Sequence, residues 1–238
     1  MTGIEIKDLK KSYIVEQQLL PVLNGIDLHI PNGKITVVLG KSGCGKTTLL
    51  RLLAGLEEAD AGEIQYDAVH KSAYVFQESR LMPWLTVWEN VAFGLKKQGY
   101  DAKQIQDVID IVGLTGFEKA YPNQLSGGMQ QRVSIARALA YQPTFIMMDE
   151  PFAALDYFTR EQMQKELLRL QQASGSSIVF VTHSMDEALL LGHKIVIMEN
   201  GRIKAEFTIE EENKKRDLLD EVFIEYKKNI IRCFKLED

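Results

Sequence analysis

Eight consecutive residues, Gly40–Thr47 (GKSGCGKT), combine three glycines with a lysine and a threonine in the spacing of a phosphate-binding loop. Glycines let the backbone turn tightly, so that successive N–H groups can face one anion. Lys46 would bring a full positive charge to the β- and γ-phosphates of a nucleotide, and Thr47 would offer a hydroxyl to Mg²⁺. The residues expected to contact the nucleotide here are Gly40, Lys41, Ser42, Gly43, Cys44, Gly45, Lys46, Thr47 and Thr48.

A second chemical feature is the acidic pair that ends the segment FIMMDE (Phe145–Glu150). Its four apolar residues predict a buried strand, from whose end Asp149 would hold Mg²⁺, usually through water. Glu150 follows directly, and we expect it to act as the general base on an attacking water. Together with the glycine-rich loop, the pair indicates hydrolysis of a nucleoside triphosphate.

The elements around these residues alternate between strands and helices. The apolar segment ITVVL (Ile35–Leu39) predicts a strand before the loop, and TTLLRLLAGL predicts a helix that ends at Gly55. Further strands are predicted at 144–149 and 176–181, and Asn200-Gly201 suits a type I′ hairpin turn. This order indicates an α/β core with a mostly parallel sheet.

The composition excludes several classes of protein. A chain of 238 residues forms one large domain or two small ones, and its net charge of −5 gives no strong basic footprint for nucleic acid. The two cysteines, Cys44 and Cys233, suggest neither a disulfide framework nor a zinc site. No window approaches the roughly 18 consecutive apolar residues that cross a bilayer. We therefore expect any action at a membrane to pass through partner subunits.

The segment LSGGMQQR (Leu125–Arg132) makes the interpretation more specific. Combined with the loop and the acidic strand, it resembles the signature segment of ATP-binding cassette ATPases, and the resemblance runs from about residue 4 to 208. The family implies ATP and Mg²⁺ as cofactors and a homodimer as the working form. In the family, the serine and glycines of this segment contact the γ-phosphate held by the opposite subunit. The resemblance gives those roles to Ser126, Gly127 and Gly128.

Other family elements follow in order along the chain. Gln77, in VFQE, matches the glutamine that senses Mg²⁺ and the attacking water. His183, in VTHSMDEA, matches the switch histidine at the γ-phosphate, and Tyr13, in KKSY, matches the aromatic residue that stacks on adenine. The segment Ala153–Asp156 (AALD) resembles the loop that links the two sites across the dimer, although that loop often begins with serine. Cys44 fills a variable position of the phosphate-binding loop and is most simply a tolerated small residue, although a thiol at a helix N-terminus can have a lowered pKa.

The resemblance also implies a domain plan: a P-loop core with N-terminal antiparallel strands and an inserted α-helical subdomain. We expect one cassette domain over 1–238. Its nucleotide-binding core would span 1–80 and 141–210, and its helical signature subdomain 81–140. The remaining 211–238 would form a helical tail, which the mixed Lys/Glu composition suggests is solvated.

The residues after Gln77 indicate which kind of partner the ATPase works with. The stretch from Glu78 to Leu95 (ESRLMPWLTVWENVAFGL) resembles importers of the nitrate, sulfonate and taurine group. It predicts an apolar docking surface at Leu81–Leu85 for a helix of an integral membrane permease. The resemblance implies a peripheral position on the cytoplasmic face of the cell membrane and a substrate-binding protein as an indirect partner. The alternative is a soluble single-cassette ATPase in a non-transport assembly.

Overall fold

The computed structural model describes residues 3–67, 71–95, 99–210 and 216–235. Within these ranges the chain divides into two compact units. The first unit holds the described residues up to 67 and from 176 onward, and the second holds those from 71 to 175. The sequence-based boundaries of a core and a helical subdomain at 81–140 remain a prediction.

The first unit contains an antiparallel sheet near its N-terminus. Strand β1 (Gly3–Val15) lies between β2 (Gln18–Pro31) and β4 (Ala61–Tyr66). Alternate residues of β1, Ile4 and Ile6 among them, are buried, as expected for a sheet with one apolar face. The predicted N-terminal antiparallel strands are therefore confirmed.

A second group of strands in this unit carries the phosphate-binding loop. Strand β3 (Ile35–Leu39) pairs in parallel with β7 (Ser177–Thr182) and with β8 (Lys194–Glu199), and β9 (Arg202–Thr208) pairs antiparallel with β8. All five residues of β3 are buried. Asn200 and Gly201 at the β8–β9 turn have φ values of 47° and 74°, which confirms the predicted type I′ geometry.

Three helices complete the first unit: α1 (Lys46–Leu53), α6 (Met185–Leu191) and α7 (Glu221–Lys235). Helix α1 ends as predicted, because Gly55 adopts a left-handed φ of 65°. The N–H of Gly55 donates to the Leu52 carbonyl, and the N–H of Leu56 donates to the Arg51 carbonyl. This pair of bonds is a Schellman motif, which satisfies carbonyls that the helix itself leaves without partners.

The second unit is mostly helical. Its strands β5 (Ser72–Val75) and β6 (Phe145–Asp149) pair in parallel. Its helices are α2 (Val87–Val91), α3 (Ala102–Ile111), α4 (Gly127–Ala140) and α5 (Tyr157–Ser174). The N-caps of these four helices are, in order, Thr86, Asp101, Ser126 and Asp156, whose side-chain oxygens each accept a backbone N–H.

Two local predictions need correction. The sequence TVWENVAFGLKK predicts one continuous helix, whereas α2 ends at Val91 and is followed by a 3₁₀ turn at Phe93–Leu95. Residues 96 and 97 of this stretch lie outside the described residues. The C-terminal helix is not simply solvated, because it buries Phe223 and Ile230 and packs on α6. Parts of the predicted tail, 211–215 and 236–238, lie outside the described residues.

Candidate functional site

The glycine-rich loop connects the buried strand β3 to helix α1, as the sequence predicts. Gly43 and Gly45 have φ values of 82° and 102°, which side chains other than hydrogen rarely allow. A Cβ at Gly40 would lie 2.3 Å from the Met198 carbonyl oxygen, so no larger residue fits there. These glycines give the loop a backbone shape whose N–H groups can turn toward one anion.

Lys46 is only 5% exposed, and its ammonium lies inside the loop. Its Nζ donates to the carbonyl oxygens of Gly40 at 2.8 Å and of Lys41 at 2.9 Å. Gly45, which has no side chain, occupies the N-cap of α1, so the cap itself offers no oxygen to the first N–H groups of the helix. A buried cation beside a helix start fits a phosphate group.

Cys44 does not show the lowered pKa that a helix start can give a thiol. Cys44 is buried, and this desolvation raises its pKa, although the charge of Lys46 acts in the opposite direction. Because burial disfavours the thiolate, the position at a helix start does not make this thiol reactive. Cys44 is therefore a packing residue of the loop.

His183 lies beside this loop because of the sheet pairing. Thr182, the last residue of β7, is the partner of Leu39, the last residue of β3, in a parallel register. The next residues along the two strands are His183 and Gly40, so both leave the sheet at the same edge. The His183 side chain is exposed, whereas Thr182 is buried.

Tyr13 lies in the same unit and is held near the start of α1. Its hydroxyl donates to the Glu57 carboxylate, and it also forms a hydrogen bond with the Thr48 side chain. Burial, followed by the bond to Glu57, raises the pKa of this phenol. The Nζ of Lys11 lies 5.6 Å from the ring centroid. The ring is half-buried, which leaves part of it accessible to a nucleotide base.

The acidic pair lies at the end of β6 in the second unit. Asp149 is buried, and the Tyr74 hydroxyl donates to its Oδ2 at 3.3 Å. Glu150 has a φ of 44°, in the left-handed region that a non-glycine residue rarely adopts. Such backbone strain is common at functional sites. Sequence reasoning missed Tyr74, whose position on the neighbouring strand is set only by the pairing of β5 with β6.

Gln77 is exposed and lies two residues after the end of β5. Side chains of helix α4 bind the backbone on both sides of it. The Gln131 side chain, only 2% exposed, donates to the Phe76 carbonyl at 3.0 Å. Arg137, also on α4, donates to the carbonyls of Ser79 and Arg80, each at 3.1 Å. Sequence reasoning missed these two anchors. In the sequence, Gln131 and Arg137 could be noticed only as polar residues among the apolar positions of this helix.

The signature segment forms the exposed start of α4. Ser126 is the N-cap, and its Oγ accepts the N–H of Met129 at 3.3 Å. A Cβ at Gly128 would meet Leu155 at 3.3 Å and the Ala154 carbonyl oxygen at 3.4 Å. At Gly127, no heavy atom of the described chain lies within 4 Å of that position. Packing within the described chain therefore gives a reason for glycine at 128 but none at 127.

The AALD segment leads into helix α5. Asp156 caps this helix, with its Oδ1 accepting the N–H of Thr159 at 3.0 Å. Hydrogen bonds from the Thr159 side chain and backbone lower the pKa of the Asp156 carboxyl. Asp156 thus has a local structural role, whatever it contacts beyond the chain.

The predicted docking run, Leu81–Leu85, is only partly exposed. Trp84 is 72% exposed and Pro83 is also exposed, whereas Leu81, Met82 and Leu85 are half-buried. Phe93, at 45%, is a further exposed aromatic residue of this stretch. The exposed apolar surface is therefore centred on Trp84 and not on Leu85.

The described residues contain neither a membrane-spanning helix nor a self-contained metal site. None of the helices in these ranges is long and apolar enough to cross a membrane. Nor does any group of three or more His, Cys, Asp and Glu side chains there form a metal site by itself. The residues that the sequence predicts as Mg²⁺ donors, Thr47, Gln77 and Asp149, carry hydroxyl, amide and carboxylate oxygens, which are the hard ligands that suit this ion, and their joint role remains a prediction.

The strand–loop–helix and the acidic strand define a P-loop nucleotide-binding protein of the α/β class. The ABC transporter family matches residues 23–153, and the chain belongs to that family. The chain is 40% identical to the aliphatic sulfonates import ATP-binding protein SsuB of Bacillus cereus, over 98% of this chain and 96% of the relative. It is 41% identical to the nitrate import ATP-binding protein NrtD of Synechocystis, over 87% of this chain and 82% of the relative.

Solved structures agree with this assignment. The chain is similar to the dimeric structure of a post-hydrolysis state of an ATP-binding cassette bound to ADP and Pi. The similarity has a TM-score of 0.81 at 31% identity and covers 88% of this chain and 100% of that chain. The fold class and the ATP-binding cassette ATPase expected from the sequence are thereby confirmed.

Proposed function

We propose that this chain is the ATP-hydrolysing subunit of an importer and works as a homodimer on membrane permease subunits. The observation that carries the proposal is the exposed start of α4 at Ser126 and Gly127. Gly127 has open space where a Cβ would lie, so a group from outside the chain can approach its backbone closely. In the proposed dimer, this group is the γ-phosphate of the ATP held by the second copy.

Within each copy, the loop residues would bind the triphosphate. Lys46 is already positioned by the two loop carbonyls, so its charge is available at the β- and γ-phosphates with little rearrangement. Tyr13 would stack on adenine. The serine and glycines at 126–128 of the other copy would complete the γ-phosphate contacts with backbone N–H groups at a helix start. ATP would then bind the closed dimer more tightly than the separated copies.

The hydrolytic roles follow the resemblance residue by residue. Glu150 would accept a proton from the attacking water, Gln77 would orient that water, and His183 would contact the γ-phosphate. Mg²⁺, when bound, would neutralise developing charge on the phosphates. Thr47 and Asp149 would hold it, with Gln77 contributing an amide oxygen.

The exposed surface around Trp84 would receive a helix of the permease. An exposed aromatic residue next to a segment anchored on the signature helix suits a partner that must sense the state of the site. The names of the relatives, an importer of aliphatic sulfonates and one of nitrate, support a small oxyanion or sulfonate as the cargo. A substrate-binding protein would act only indirectly, and the complex would sit on the cytoplasmic face of the membrane.

Mixed dimers test the shared site. Ser126→Arg should still bind ATP as a monomer but should not hydrolyse it, because the arginine blocks approach to the second copy. Lys46→Ala should bind ATP poorly. Mixing the two chains rebuilds one intact site per mixed dimer, so the ATPase activity should rise above that of either chain alone.

Ser174→Arg provides the matched control, since Ser174 is an exposed serine far along α5 from the signature segment. This control should hydrolyse ATP at the wild-type rate and form dimers normally. Loss of ATP binding by the Ser126→Arg monomer would show that the site lies within one chain. Mixtures no more active than the sum of the two separate chains would also contradict a shared site.

A further inference from the structure

The segment around His183 contains a closed set of hydrogen bonds that the hydrolytic roles above do not use. Ser184 caps α6, and its Oγ accepts the N–H of Glu187 at 3.3 Å. The Ser184 N–H donates to the Thr182 Oγ1 at 3.0 Å. The Thr182 hydroxyl in turn donates to the Glu187 Oε2 at 2.6 Å.

This arrangement is an extended form of the capping box. In the usual box, the carboxylate at the third helical position accepts the N–H of the cap residue directly. Here the Thr182 hydroxyl stands between the Glu187 carboxylate and the Ser184 N–H. The box therefore includes the last residue of β7 and encloses His183, the one residue between Thr182 and Ser184.

These hydrogen bonds are strengthened by burial. Thr182 is 2% exposed and Glu187 is 7% exposed, whereas His183 is exposed. A short O–H to carboxylate bond away from water is strong, because a charged acceptor with few water contacts binds its donor tightly. Thr182 is also fixed by the sheet, opposite Leu39. The residues on both sides of His183 are thus held in place: Thr182 by its pairing with Leu39 of β3, and Ser184 by its hydrogen bond to Thr182.

We propose that Thr182 and Glu187 are positioning residues for His183. They hold the backbone of His183 so that its imidazole is presented beside the loop that begins at Gly40. Neither side chain touches the nucleotide. The inference rests on the proposed role of His183 at the γ-phosphate, and it adds two residues that the resemblance does not assign.

The experiment is a double-mutant cycle on the ATPase activity of the full chain. Thr182→Val keeps the shape of the side chain and removes the hydroxyl, and it should lower kcat about tenfold or more, as small misplacements of a reacting group do. The KM for ATP should stay near wild type, because the loop residues that bind phosphate are unchanged. Thr182→Ser, which retains the hydroxyl, should recover most of the activity.

His183→Ala completes the cycle. Once the imidazole is gone, there is nothing left to position, so adding Thr182→Val to His183→Ala should cost little further activity. A purely structural role for Thr182 predicts that the two losses multiply, as they do for independent sites. Multiplying losses would therefore overturn the proposal, and so would a Thr182→Val chain with wild-type kcat.

A second variant separates positioning from folding. Thr182→Val removes both the donor to the Glu187 carboxylate and the acceptor of the Ser184 N–H, so it should lower stability. Adding Glu187→Met removes the buried carboxylate that has lost this donor, and an apolar side chain of similar length is better tolerated there. We expect the melting temperature of this double variant to recover in part while its kcat stays low. Recovery of kcat along with stability would overturn the proposal. Near-normal hydrolysis by His183→Ala would instead contradict the proposed function itself.

Discussion

Thr182 lies directly opposite Leu39 in the parallel pairing of β7 with β3. Neighbouring strands of a sheet lie about 4.8 Å apart, so the residues that follow these two leave the sheet as close neighbours. The sequence separates Gly40 and His183 widely, and a single strand pairing brings them to one edge. The glycine-rich loop and His183 therefore follow neighbouring strands of one sheet at the same edge.

Glu150→Gln should keep ATP binding and slow hydrolysis by roughly 10²–10⁴, the usual range for loss of a general base. The amide keeps the size of the side chain but cannot accept a proton from water. ATP-bound dimers should accumulate, which gel filtration with Mg-ATP would detect. Glu161→Gln, at a half-buried glutamate of α5 whose carboxylate pairs with Lys165, is the control and should behave as wild type in ATP hydrolysis. Hydrolysis near the wild-type rate by Glu150→Gln would remove Glu150 from this role.

Trp84→Glu should abolish co-purification with the permease while leaving ATP binding and the melting temperature unchanged. Trp84 is 72% exposed, so a charge there costs the fold little but disrupts an apolar contact. Phe117→Glu, at an aromatic residue that is 43% exposed, is the matched control and should still co-purify. A Trp84→Glu chain that retains the permease would place the docking surface elsewhere.

Cys44 should react slowly with a thiol-alkylating reagent at neutral pH. Its burial keeps the reagent out and raises its pKa, so little thiolate is present. Cys233, half-buried on α7, is an internal reference within the same chain. Mass spectrometry of the labelled peptides should show Cys233 modified first, and Mg-ATP should slow labelling of Cys44 further. Faster modification of Cys44 than of Cys233 would show that the loop opens in solution.

The free energy of unfolding should decrease as the pH falls, because His193 is harder to protonate in the folded chain than in the unfolded one. Burial, with the charges of Lys34 and Arg216, lowers the pKa of His193 from 6.5 to about 4, and its Nδ1 accepts the N–H of Ile35 at 3.0 Å. Between these two pKa values the unfolded chain binds more protons than the folded one. The contribution of His193 is therefore complete above pH 6.5 and is lost as the pH falls toward 4.

Urea unfolding measures this effect. Between pH 7 and pH 5 the wild-type chain should lose up to about 2 kcal/mol more stability than His193→Asn. Asparagine offers an amide oxygen to the Ile35 N–H but does not titrate in this range, so it is the matched reference. Equal pH dependence in the two proteins would show that His193 is not the group responsible.

The sequence by itself determined the features that depend on a few neighbouring residues. The phosphate loop, the end of α1 at Gly55, the turn at Asn200-Gly201 and the cap at Ser126 all follow from local backbone preferences. The family could be recognised because several such segments occur in a fixed order. The backbone conformation of a turn or a cap depends mainly on a few neighbouring residues, so it can be predicted from the sequence.

Only the tertiary structure decided the properties that depend on burial and on distant partners. A thiol at a helix start can have a lowered pKa, yet desolvation raises the pKa of Cys44 and outweighs that local effect. The exposed apolar surface is a second example, because within the predicted run Leu81–Leu85 the side chain of Trp84 is exposed and that of Leu85 is half-buried. The links from Gln131 to Phe76 and from Glu187 to Thr182 join separate elements through side chains in fixed positions. The free energy of burial depends on every element that surrounds a group, and a short stretch of sequence does not contain that information.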